Sequence, residues 1–239
     1  MSSVLHQHAG RAPEQMRELT LRAFDAARHS AAASAQCIAT GSDEALVSVR
    51  GFEEELDGLD RQINEGVTAG ISQVSEPEGR ELLSCLKLIL ELERVGDLLL
   101  NVANRAQGIA SRIAAEDAAD LRRMIALLEQ MLADAHTAFR DRDLTRALAV
   151  LRTDADMDRI RNLMFVRHID NPENQPRQQG FHLVFMTQTL ERAGDHAKNM
   201  AEEVCHLVTG RSVRHLLRQK DRPDEEMFVE WLRKQSGRH

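Results

Sequence analysis

The polar and apolar positions of this chain follow no strand period at any point. They divide instead into six long stretches separated by helix stop and start signals. The first runs from about Pro13 to Thr40 and stops at Gly41. Ser42 is a good N-cap for the second, with Asp43 and Glu44 placed in the first turn to meet the helix dipole. That helix is expected to reach about Val74. Ser75, Pro77 and Glu78 then give the capping-box pattern of a third helix extending to about Ile113. After a short break at 114–117, a fourth helix ends near Arg140, and Asp141-Arg142-Asp143 reads as a turn. The fifth helix runs to about Ile169. The stretch 170–176, with two prolines and two asparagines, reads as a loop. The sixth runs to about Val208 and ends at Thr209-Gly210, glycine being the C-terminal signal.

Composition supports this reading. Leu, Ala, Glu and Arg dominate, aromatics are 3% and Tyr is absent, so the residues that favour sheets are scarce. The fold class expected is all-α: two tandem three-helix bundles, spanning 12–113 and 114–210. A flexible tail (1–11) precedes them and a short helical extension (211–239) follows. Within the extension, 224–234 is a candidate amphipathic helix with Phe228, Trp231 and Leu232 on one side. The net charge of -7 argues against nucleic-acid binding, which needs a basic surface. The extension departs from this average, with 8 Lys/Arg against 5 Asp/Glu. Apolar runs are short and broken by charges, and 1–11 lacks the apolar core of a secretory signal. Cys37, Cys85 and Cys205 are too far apart in sequence for a metal knuckle or redox pair, and they read as reduced, buried thiols. A cytoplasmic location is expected.

The two halves repeat. The third helix carries Leu92-Glu93-Arg94-Val95-Gly96-Asp97-Leu98-Leu99-Leu100-Asn101. The sixth carries Leu190-Glu191-Arg192-Ala193-Gly194-Asp195-His196-Ala197-Lys198-Asn199, at an offset of 98. A second correspondence lies on the middle helices at an offset of 101. There Glu53 and Asp57 match Asp154 and Asp158, Leu56 matches Met157, and Leu59 matches Ile160. Residues four apart share a helix face, so Glu93, Asp97 and Asn101 form one stripe. Traced backwards it continues an apolar line through Leu90, Leu86 and Leu82. In the second half the line passes back through Thr187 and Val184. Carboxylates on a packing face are costly unless paired or metal-bound. Gly96 and Gly194 lower helix stability and are explained by a backbone or a ligand approaching closely.

Three readings of the acids remain open. They could be salt bridges that fix the register of the bundle. They could form a multi-carboxylate cation site, with two acids from each of two facing helices. Di-iron chemistry of the ferritin type needs Glu-x-x-His on two helices, and only Glu203 to His206 provides it. His6 and His8 fall in the tail. His136 and His168 read as packing or surface histidines. His196, next to Asp195, points away from the acid stripe.

These strings resemble the PhoU family of phosphate-signalling regulators. Residues 191–203 are similar to its Glu-Arg-Ile-Gly-Asp-His-Ala-x-Asn-Ile-Ala-Glu string through Glu191, Arg192, Gly194, Asp195, His196, Ala197, Asn199, Ala201 and Glu202. Residues 93–103 match through Glu93, Arg94, Gly96, Asp97, Asn101 and Ala103. The first copy has Leu98 in place of the family's His, and Asn104 where an acid is usual, so the second copy is the more complete. The resemblance implies regulation rather than catalysis. Such a protein restrains the phosphate-starvation response, acting between a phosphate ABC transporter ATPase and a phosphate sensor histidine kinase at the membrane. It also implies a homodimer and metal binding through Glu53, Asp57, Glu93 and Asp97 in one unit and Asp154, Asp158, Glu191 and Asp195 in the other. Iron, zinc, manganese and magnesium are the candidate ions. Arg94, Arg192, Asn101 and Asn199 would support the ligands. No nucleic-acid partner and no enzymatic activity are expected. The alternative is a purely structural or metal-storage bundle. No phosphate-binding glycine loop, nucleophile elbow or kinase signature appears in the sequence.

Overall fold

The computed structural model describes residues 12–170 and 178–211. Its described residues are helical, with no strand among them. Helix α1 is Ala12–Thr40, α2 is Asp43–Gly70 and α3 is Glu76–Ile109. Helix α4 is Ala115–Asp141, α5 is Leu144–Phe165 and α6 is Gln178–Thr209. The tail at 1–11, most of the expected loop and the candidate helix at 224–234 lie outside the described residues.

The punctuation acts as the sequence indicates. The Ser42 hydroxyl accepts the Ala45 N–H at 3.3 Å. The Ser75–Glu78 capping box is formed, with the Ser75 N–H donating to Glu78 Oε2 at 2.8 Å. Gly41 and Gly210 stop α1 and α6 in the left-handed region, at φ of 65° and 69°. Arg142 takes that conformation at the end of α4, without being glycine (φ 56°). Its guanidinium lies 5.0 Å from the Phe139 ring centroid and pairs with Glu81. Those contacts offset a backbone conformation that ordinary residues avoid.

Three helix ends differ from expectation, each by a tightened or loosened last turn. Helix α2 closes at Gly70 and a 3-10 turn, Ile71–Gln73, follows. Helix α3 closes at Ile109, before the 3-10 turn Ala110–Arg112. Helix α5 closes at Phe165, before a wide turn of π type, Val166–Asp170. Arg167 and His168 on that turn bind the buried Asp117 at the start of α4, at 2.7 and 2.9 Å. His168, read from sequence as a lone histidine, is one arm of this clamp.

Helices α1–α3 form one bundle and α4–α6 a second, and the two share a single apolar core. Two seams join them. Helix α1 meets α4 around Phe24, whose ring is 6.3 Å from Phe139 and 5.7 Å, edge-on, from His136. His136 is therefore a packing residue, and burial lowers its pKa. The second seam sets α3 antiparallel to α6 and is polar. Ser84 Oγ donates to Glu203 Oε1 at 2.7 Å, and Lys87 Nζ to Glu203 Oε2 at 3.0 Å. Glu91 Oε2 faces His196 Nδ1 at 2.6 Å and accepts from Asn199 Nδ2 at 3.2 Å.

The three cysteines are free and buried. Burial raises the Cys37 thiol and pushes Cys85 to about 11 and Cys205 to about 12, so all three stay protonated and unreactive.

Candidate functional site

Each unit brings its middle and last helices together so that their acids face one another. In the first unit Glu53 and Asp57 on α2 look across at Glu93 and Asp97 on α3. Burial raises the Glu53 pKa, and the negative charges of Asp57, Asp97 and Glu54 raise it further. Glu93 is raised by burial and by Asp97, Asp57 and Asp60, against a lowering influence from Arg94. These mutual effects place the four acids expected from sequence in one electrostatic neighbourhood, with Asp60 as a fifth member.

The second unit repeats the arrangement. Burial raises Glu191, as do Asp195, Asp158 and Asp154, while Arg161 lowers it. Burial also raises Asp154, and Lys198 opposes that. Here two cations enter. Lys198 Nζ, from α6, lies 2.9 Å from Asp154 Oδ2. Arg161 Nη2, from α5, lies 2.9 Å from Asp158 Oδ1 and 3.7 Å from Glu191 Oε1. Arg161 and Lys198 were not among the residues singled out from sequence. The signal was available, because by the offsets of the repeat their counterparts are Asp60 and Leu100. At the first acid surface Arg94 pairs with its neighbour Glu93 at 3.4 Å, on an arginine side chain 65% exposed. In water such a pair contributes little. Motif completeness ranks the second copy higher, whereas the unneutralised charge is concentrated on the first.

The acid lines do not sit in the core, as an extension of the leucine face suggested. A step of four residues overshoots one helical turn by about 40°, so the line winds outward as it ascends α3. Leu82 is buried, Leu86 partly buried and Leu90 exposed; Glu93 and Asp97 are half-buried and Asn101 is exposed. The carboxylates therefore occupy the rim of the groove between helices, where water still reaches them. Among the described residues no three His, Cys, Asp or Glu side chains converge as metal ligands would.

The glycines are explained by neither a backbone nor a ligand. A Cβ on Gly96 would meet Leu56 Cδ1 at 2.6 Å, and one on Gly194 would meet Met157 Cε at 3.3 Å. Leu56 and Met157 are the paired residues of the second repeat correspondence. In each unit the middle helix sends one apolar side chain into the notch left by the signature glycine. The glycine thereby sets the helix spacing that brings the two acid pairs together.

The remaining signature residues take separate parts. Asn101 Nδ2 donates to the Asp97 carbonyl at 3.0 Å, a bond within its own helix. Asn199 and His196 instead serve the seam through Glu91. His196 does point away from Glu191 and Asp195, as its position after Asp195 predicts. Its counterpart Leu98 is buried. Arg192 is exposed. Glu203 is held by Ser84 and Lys87, with His206 Nδ1 at 3.7 Å.

Among the described residues no helix is long and apolar enough to cross a membrane.

Comparison with known proteins follows the same division of the chain. A family model described as the PhoU domain matches residues 15–106 and again 121–204. A "phosphate-specific transport system accessory protein PhoU homolog" of Deinococcus radiodurans is 31% identical over 172 residues, covering 69% of this chain and 79% of the relative. A protein of the same description from Rhizobium meliloti is 30% identical over 177 residues, covering 72% and 73%. The crystal structure of the phosphate transport system regulatory protein PhoU from Streptococcus pneumoniae superposes with a TM-score of 0.78, at 19% identity. It covers 86% of this chain and 99% of that one.

Proposed function

We propose a function on one premise: the chain belongs to the PhoU family, whose domain model matches both of its helical units. The family is one of phosphate-transport accessory and regulatory proteins. On our reading this chain is a cytoplasmic adaptor, not an enzyme. It restrains the phosphate-starvation response by contacting the ATPase of a phosphate ABC transporter and a phosphate sensor histidine kinase, and it works as a homodimer. The observation that carries this reading is the doubled, signature-bearing unit, shared with relatives described as phosphate-transport accessories. Two long helical units locked by two seams supply broad, rigid outer faces, which suits a protein that works by contact.

The metal chemistry implied by the resemblance fits the two surfaces unequally. Glu53, Asp57, Glu93 and Asp97 offer hard oxygen donors on facing helices, with raised pKa values for Glu53 and Glu93 that a cation would relieve. Because the acids lie at a wet rim, they suit an ion that keeps part of its water shell, such as magnesium or manganese, better than a closed cage. When bound, the ion would cancel the repulsion between α2 and α3 and draw them together.

The regulatory reading is tested by deleting the gene and measuring phosphate-starvation transcripts in phosphate-rich medium. Transcripts should stay high and fall again on complementation. Full repression in the deletion strain counts against the adaptor role.

A further inference from the structure

We infer that the second acid surface is closed by tethered cations. Lys198 and Arg161 take the place of a divalent ion there, so metal responsiveness resides in the first unit alone. The inference concerns the metal part of the reading above and does not depend on the phosphate role.

The geometry is reciprocal. Lys198 rises from α6 and reaches Asp154 on α5, at 2.9 Å. Arg161 rises from α5, binds Asp158 on its own helix at 2.9 Å and comes within 3.7 Å of Glu191 on α6. Each cation ties the two helices, which is what a bridging metal would do. Of the carboxylates they meet, Asp154 is 14% exposed and Glu191 17% exposed, while Asp158 is 51% exposed. A free divalent ion entering here would have to displace an ammonium group held at high effective concentration by its own helix. It would also have to sit beside a guanidinium that cannot lose its charge. The first unit has Asp60 in place of Arg161 and Leu100 in place of Lys198, and Arg94, which pairs with Glu93 there, is 65% exposed and extends along its own helix rather than across to α2. One of those exchanges adds an acid to the first surface, and the other withholds a base. The choice between a metal-responsive and a partly self-neutralised surface is thus written at two positions of the repeat.

Manganese serves as the probe, with bound ions counted from the resonance of free Mn2+ on the metal-stripped, full-length chain. In a background carrying Glu93→Gln and Asp97→Asn, we expect no further loss of bound ion on Glu191→Gln. Adding Lys198→Met and Arg161→Met to that background should create one new ion site, and Asp154→Asn should abolish it. Loss of an ion on Glu191→Gln, or no gain in the cation-free variant, overturns the inference. If that variant does not fold, Lys198→Met alone decides by melting temperature. With Glu93→Gln and Asp97→Asn present in both chains, manganese should raise its Tm and leave that of the chain with Lys198 intact unchanged. Equal shifts in both overturn the inference. Glu93→Gln in the otherwise unchanged chain tests the first surface separately, whatever the second does.

Discussion

The two units of this protein have the same helices, the same glycine notch and four acids in matching places, yet they treat charge in opposite ways. The second surface contains its own counter-ions. Arg161 and Lys198 reach Asp158 and Asp154 at 2.9 Å, and Arg161 comes within 3.7 Å of Glu191. The first groups Glu53, Asp57, Asp60, Glu93 and Asp97 with only the exposed Arg94 paired among them; burial and mutual repulsion raise Glu53 and Glu93 there, as they raise Asp154 and Glu191 in the second unit, where Lys198 and Arg161 oppose the rise. A duplicated fold therefore need not duplicate a property. Backbone and packing are held by many residues, whereas the net charge of a surface shifts with one or two. On the inference above, one unit is a permanent brace and the other is the one whose helix–helix attraction would respond to solution conditions.

Breaking the brace should have the largest effect. Lys198→Met leaves Asp154 mostly enclosed without its partner, and removing one half of a buried pair is costly. We expect a loss of ~2–3 kcal/mol, less than for a fully buried pair because Lys198 stays in contact with water. Chemical denaturation measures it. A loss below a few tenths of a kcal/mol would show that the pair is merely superficial.

The glycine notches come next. Gly96→Ala brings a methyl to 2.6 Å from Leu56, which is itself fully enclosed. Overpacking outweighs the ~1 kcal/mol gained in helix propensity, for a net loss of about 1 kcal/mol. Gly194→Ala meets the flexible end of Met157 at 3.3 Å and should be within ~0.5 kcal/mol of neutral. Melting curves of the two variants side by side test whether the first notch is the tighter.

Transplanting the brace sharpens the comparison. Asp60→Arg in the first unit installs the second unit's guanidinium among the acids. It should stabilise the chain by ~0.5–1 kcal/mol, a typical worth for a partly exposed pair. It should also remove any stabilisation by manganese at that surface. An unchanged manganese response would separate the acids of α3 from those of α2.

Acidity is the mildest probe. Glu93 has a folded pKa above its ordinary value of 4.5, so its ionised form is disfavoured by folding. The resulting destabilisation is present at neutral pH. It is relieved as pH falls through the raised value, and the relief is complete below the ordinary value. Stability should therefore rise by a few tenths of a kcal/mol on mild acidification, and Glu93→Gln should flatten that rise.

Much of this was legible along the chain. Ser42, the Ser75–Glu78 pair, Gly41 and Gly210 located helix ends because capping is local, settled within four residues. The repeat located both acid pairs because each is a spacing on one helix. The outward drift of the α3 acids is hidden in a four-residue spacing, because a helix turns every 3.6 residues and such a line winds around it. Arg161 was passed over because its value lies in reaching Glu191 on another helix, a contact that no spacing reveals.

The sequence by itself determined six helices, their order, the doubling and the family, because periodicity, caps and repeated strings are properties of neighbours along the chain. The tertiary structure decided that the glycine notches admit Leu56 and Met157, that His196 and Asn199 serve the seam through Glu91, and that two cations bridge the helices at one acid surface and not at the other. Each of these depends on which side chains meet across helices. At a groove only one side chain wide, the identity of a single partner sets the local charge.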